Sequence, residues 1–152
     1  MRRRRSAGQR PAAGCVLCLL AIACNDPVAP DPRPGWLLKP AILLHHGIPT
    51  LMQVPDSVPP GAQFSIAFVT FGPGCDEVGE TLNTVNGNEI EIHPLDWTPV
   101  RPTAMCPDSI VRIFPHSVEV QVNQSGPARV RVHGRREPGG TDVIFAATIQ
   151  IR

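Results

Sequence analysis

The sequence has no tyrosine, and only five phenylalanines and two tryptophans among its 152 residues. That excludes the tyrosine corner that marks antibody-type domains. No uncharged apolar stretch approaches the roughly 20 residues that a membrane-spanning helix needs; the longest, from Ala12 to Ala23, has twelve. Motifs for catalysis are missing as well. There is no G-x-S-x-G elbow, no phosphate-cradling glycine loop, no H-E-x-x-H pair and no kinase signature. An enzyme is therefore not expected, and no cofactor is expected with it. Charged residues are sparse at 18% and nearly balanced at +1, but 42% of the chain is hydrophobic, enough for one globular domain.

What is present is unevenly placed. Arg2, Arg3, Arg4, Arg5 and Arg10 open the chain with no acidic residue among the first ten positions. The apolar stretch to Ala23 follows, in the order of a secretory leader's charged and hydrophobic regions. It ends at Ala21-Ile22-Ala23-Cys24. Small or apolar residues at the three positions before a cysteine resemble the lipobox of bacterial lipoproteins, with Ala21 where leucine is usual. The resemblance implies cleavage after Ala23 and acylation of Cys24, giving an anchor of up to three chains at about 0.8 kcal/mol per buried methylene. The plainer alternative is an ordinary secretory signal with an incidental cysteine.

Removing residues 1–23 leaves nine basic and 13 acidic residues, a formal charge of −4, and no basic run longer than Arg135-Arg136. Neither nucleic acid nor anionic lipid headgroups are therefore expected as partners. Residues 24–40 carry a proline-rich stretch, CNDPVAPDPRPG, which predicts a semi-rigid tether. Asn25 follows the cysteine and Asp26 comes one place later, which favours the outer over the inner membrane under the lipoprotein resemblance.

From residue 41 to 152 the hydrophobic period is 2. Phe64, Ile66 and Phe68 alternate with small or polar residues, as do Ile90 and Ile92, and Val118, Val120 and Val122. Ala128, Val130 and Val132 repeat the pattern, and Val143, Phe145, Ala147, Ile149 and Ile151 complete it. Asn86-Gly87-Asn88 predicts a two-residue hairpin, and Pro138-Gly139-Gly140 a turn before the last strand. With an opening strand at residues 41–46 continued by 50–54, and a weaker one at 80–85, about seven strands are expected, arranged as an antiparallel sandwich. The segment Val54-Pro55-Asp56-Ser57-Val58-Pro59-Pro60-Gly61 and the strand opening Ser125-Gly126-Pro127 resemble parts of immunoglobulin-like domains of bacterial surface proteins. This implies an all-β, immunoglobulin-like fold and says nothing of function. A β-meander or small barrel is the alternative, since neither tryptophan falls in an expected strand.

With Cys24 acylated, Cys75 and Cys106 remain as a pair, and in an oxidising compartment a disulfide is expected. A metal site combining them with His93 and His116 lacks any short ligand spacing. Residues 94–116, with five prolines, read as one long loop, in which Ile110, Val111, Ile113 and Phe114 fit a helical turn plugging one end. Its functional reading makes Asp96, Trp97 and Arg101 a rim for a sugar or peptide. His45 and His46, as neighbours on a strand, would point to opposite faces. Glu89 and Glu91 share one strand face and read as a solvated acidic face, with Arg129 and Arg131 able to pair with Glu119. The function expected is a tethered, non-catalytic envelope module binding a protein or glycan. The alternatives are a Cu or Zn carrier using His45, His46, His93 and His116, or a lipoprotein of purely structural role.

Overall fold

The computed structural model describes residues 33–100, 106 and 110–152, and every regular element among them is a β-strand. Cys24 and Arg101 lie outside the described residues, as do all of residues 1–32, where the expected leader and most of the expected tether fall. Eleven strands form: β1 (Trp36–Pro40), β2 (Ile42–His45), β3 (Ile48–Pro49), β4 (Met52–Gln53), β5 (Ser57–Val58) and β6 (Gln63–Pro73). They continue with β7 (Glu77–Asn86), β8 (Glu89–Pro99), β9 (Val111–Gln121), β10 (Gly126–Glu137) and β11 (Asp142–Ile151).

The alternating residues do what their period dictates. Phe64, Ile66 and Phe68 of β6 turn inward with Val118 and Val120 of β9. Ile90 and Ile92 of β8, Ala128, Val130 and Val132 of β10, and Ile149 and Ile151 of β11 meet them in a single core. β6 pairs antiparallel with β9 along its whole length, and on its other side with β4 and, at Ile42, with β2. β8 pairs with β7 on one side; its other side is shared by β10 in parallel and β1 antiparallel. β10 also pairs antiparallel with β11 and in parallel with β2, so β2 joins the β6 region to the β10 region. Gly134 makes the β10 crossing feasible: a Cβ there would sit 2.6 Å from the Ala41 carbonyl oxygen.

The result is one continuous curled sheet of half-barrel form. This is the barrel-like alternative, with more strands than the seven expected. Across the open side β7 and β9 meet through side chains, Thr81 to His116 at 2.8 Å, with no backbone ladder between them among the described residues.

Four local expectations are corrected. Residues 36–40, assigned to the tether, form β1 against β8, and Trp36 and Trp97 are both strand residues. Both ends of the expected loop at 94–116 are strand, because β8 runs on to Pro99 and β9 begins at Val111. Val111, Ile113 and Phe114 are therefore strand, not a helical plug: Phe114 is buried, and Val111 and Ile113 face out. His46 is not on a strand. It has φ 47° and, with Gly47 at φ 85°, makes the two-residue turn between β2 and β3, the left-handed pair that a type I′ hairpin requires.

The Cys75–Cys106 disulfide is formed, with the two Cα atoms 5.2 Å apart. Strand directions place it at one end of the curl. Trp36, the ends of β6, β8 and β10, the starts of β7, β9 and β11, and the His46-Gly47 turn lie at that same end. We call it the tether end.

Candidate functional site

The tether end holds a cleft of about 510 Å³. β1 contributes Lys39, β2 and its turn His45 and His46, and β10 Arg135 and Glu137. Asp76, held beside the disulfide, and Thr98 of β8 close one side, over an apolar floor of Ile42, Pro73 and Val111. Two cations, two carboxylates and two imidazoles thus converge on one concavity, the combination of shape and placed polar groups that ligand sites share.

Arg135, Glu137 and Asp76 each have defined partners. Arg135 donates from Nε to the Pro40 carbonyl at 2.9 Å and from its guanidinium to Glu137 at 3.2 Å. Asp76 is buried; its amide donates to the Pro73 carbonyl at 2.9 Å and its carboxylate accepts from the Thr98 hydroxyl at 3.3 Å. Burial pushes the Asp76 carboxyl above its ordinary pKa, against the opposing pull of Thr98, Arg135 and Lys39. Desolvation, and then the neighbouring His46, hold His45 below the usual histidine value, so its imidazole is neutral at neutral pH. His45 stacks on Phe71 and meets His46 edge-on, with ring centroids 5.9 and 4.5 Å away, and its Nδ1 is buried without a hydrogen-bond partner.

Of the expected rim, Arg101 lies outside the described residues and Asp96 departs from it. Asp96 points inward and is 4% exposed. It accepts from the Thr70 hydroxyl at 2.8 Å and from the Gly79 amide at 3.4 Å, and lies 3.3 Å from His116 Nε2. Because Thr70 spends its one proton on Asp96, it accepts from His116 Nε2 at 3.0 Å. Thr81 then completes the set at Nδ1, donating to a neutral imidazole or accepting from a charged one. Hydroxyl, imidazole and carboxylate are the ingredients of a nucleophilic triad. Here the hydroxyl serves the carboxylate instead of the imidazole, and Thr70 has no exposed surface, so no substrate reaches it. The cluster is a buried polar clamp across the open side of the curl. Trp97 is half-buried, and Arg33 lies over its ring at 5.6 Å and over Trp36 at 5.3 Å, while bonding Glu77 at 2.7 Å.

On the outer face of β8 and β10 the acidic pair is neutralised by close neighbours. Arg131 reaches Glu91 at 2.8 Å and Glu89 at 3.6 Å; His133 bonds Glu91, and His93 stacks on His133 at 4.5 Å. The His133 hydrogen bond, then that of Arg131, hold Glu91 below its ordinary pKa, so it stays ionised and is no general acid. Glu119 pairs with none of these arginines, because β9 borders β6 and not β10.

The four histidines named as metal donors separate. His45 sits with His46, His93 with His133, and His116 in the buried clamp. Among the described residues no three His, Cys, Asp or Glu side chains converge on a point that could hold a metal ion. Lys39, Asp76, Arg135 and Glu137 are what sequence reasoning missed. No shared motif links them: the β1–β8–β10 pairings bring Lys39, Arg135 and Glu137 together, and Asp76 joins from the β6–β7 connection through Thr98 of β8. Comparison with known proteins returns no matching family model, no matching curated protein and no matching solved structure.

Proposed function

We propose that the protein is a lipid-anchored component of the bacterial envelope, acylated at Cys24 after cleavage of residues 1–23. In this reading it acts as a non-catalytic module that binds a charged segment of an envelope protein in the tether-end cleft. The observation that carries it is the convergence of Lys39 and Arg135 with Asp76 and Glu137 over an apolar floor. Both signs of charge beside apolar surface suit a peptide segment. A glycan is less well served, since the Trp97 ring on which a sugar would stack is covered by Arg33. An immunoglobulin-like relationship belongs to the same proposal, supported by β6 and β9 packing their inner faces against β8, β10 and β11.

The test is capture from the native envelope. Full-length protein, expressed in its own host with labelled palmitate, should carry the label at Cys24 and retain a partner. Lys39→Glu should lose that partner, while Glu119→Lys, on the outer face far from the cleft, should keep it. Equal capture by wild type and Lys39→Glu would remove the cleft from the proposal. Absence of label would remove the anchor.

A further inference from the structure

We infer that the tether end is a lipid-docking surface, by which the domain rests on the bilayer instead of standing off it. The inference rests on the proposed anchor at Cys24.

The outer face of the β6–β9 pair is divided along its length. Away from the tether end it is polar, with Gln63 and Ser65 beside Gln121 and Glu119. Toward the tether end the cross-strand partners are Val69 with Pro115, Phe71, itself buried under His45, with Ile113, and Pro73 with Val111. Ile113 is 62% exposed, and Ile110, at the start of this strand, 55%. Apolar exposure continues around the same end: Val100 is 51% exposed and bonded through its amide to Gly35, Leu37 follows Trp36, and Ile48, at 60%, flanks the His46-Gly47 turn. Isolated exposed aliphatics need no explanation, but a collar of them around one end does.

Two further observations select lipid as the occupant. First, the chain leaves the described domain at this end. From Cys24 to Arg33 there are nine residue steps, which span at most about 32 Å fully extended. An anchor at Cys24 therefore keeps this end within about 32 Å of the headgroups. Second, the collar contains Trp36 and Trp97 with Arg33 between them, and Arg112 beside Ile113. Indole rings and guanidinium groups among exposed aliphatics are the side chains that favour the boundary between headgroups and acyl chains. The cleft opens at the same end, so docking presents it to segments that lie close to the membrane.

The test uses the lipidated full-length protein in vesicles of phosphatidylethanolamine and phosphatidylglycerol. An environment-sensitive nitrobenzoxadiazole dye is placed on Ile113→Cys, and separately on Glu119→Cys, six residues or about 20 Å further along the same strand. The expected result is a blue-shifted emission and slowed iodide quenching at position 113, with aqueous behaviour at 119. Both positions are exposed, so labelling leaves the core intact. Aqueous emission at both positions, in protein that floats with the vesicles, overturns docking and leaves the anchor standing. Failure to float removes the anchor and the inference with it. A shift at 113 that appears only after envelope protein is added also overturns it, assigning the collar to a protein partner.

Discussion

Replacing Asp96 with alanine tests the buried clamp most directly. Its carboxylate receives the Thr70 hydroxyl at 2.8 Å in the interior and the Gly79 amide at 3.4 Å at its edge, and lies 3.3 Å from His116 Nε2. A short hydrogen bond to a charged acceptor contributes about 1.5–3 kcal/mol, and the longer one about 0.5–1 kcal/mol. Their loss, with two donors left unpaired, sums to about 2–4 kcal/mol. Taking a urea dependence near 2 kcal/mol per molar, the unfolding midpoint should fall by about 1–2 M. Asp96→Asn, which keeps a carbonyl oxygen for Thr70, should cost roughly half as much. Thr70→Val combined with Asp96→Ala should be non-additive by about 0.5–3 kcal/mol, since the two share one bond. The assay is equilibrium urea unfolding followed by intrinsic tryptophan fluorescence. A midpoint for Asp96→Ala within about 0.5 M of wild type would refute the reasoning and return Asp96 to the solvent-facing rim expected from sequence alone.

Two other outcomes follow from described features. Opening the Cys75–Cys106 disulfide, by reduction or as the Cys75→Ser, Cys106→Ser pair, releases a 31-residue separation and should cost about 3.5 kcal/mol in loop-closure entropy. Calorimetry should show the melting temperature lowered by about 10–15 °C, and an unchanged melting temperature would mean the crosslink constrains nothing in the unfolded chain. On the acid side, desolvation first, and then the charge of a neighbouring histidine, hold His45 and His93 below their ordinary value of 6.5. The unfolded chain therefore takes up these protons first, and the stability they contribute is full above pH 6.5 and lost as pH falls through their folded values. The lowered Glu91 adds a second loss below its ordinary 4.5, while Asp76, whose pKa is raised, works in the opposite direction because the native state binds its proton first. Urea midpoints measured from pH 8 to 4 should decline below pH 6.5, and His93→Asn should flatten the first part of that decline; a wild-type curve level from pH 7.5 to 5.5 would contradict it.

The core was legible because burial on one face of a strand writes itself as period 2, and the inward residues of β6, β8, β9, β10 and β11 are those the alternation names. The disulfide was legible from cysteine arithmetic, since Cys75 and Cys106 are the two cysteines of the strand-rich region. Prolines hid the rest. Pro94 breaks the reading of β8, yet it sits where β8's second edge passes from β10, paired up to Ile92, to β1, paired from Leu95, so the missing amide costs no ladder bond. Pro115 lies in β9, a border strand opposite Val69, whose own amide bonds Leu51 on the far side. Its missing donor therefore falls on the unpaired edge. The cleft was illegible for another reason: Lys39, Asp76, Arg135 and Glu137 are spread over nearly a hundred residues and meet only through strand pairings that local pattern does not encode.

The place of β10 also sets an order of events. This strand bonds β8, β2 and β11, yet it is built from residues 126–137, after nearly all the others have been made. Until it arrives, the first half of β8 is paired on one side only, with β7, and β2 has no bridge from the β6 region to the rest of the sheet. The pairings that complete the curl are long-range, the kind that form slowly because the ends of a long loop must first be brought together. A chain whose sheet cannot close before its last quarter emerges completes its fold only when its synthesis is nearly done.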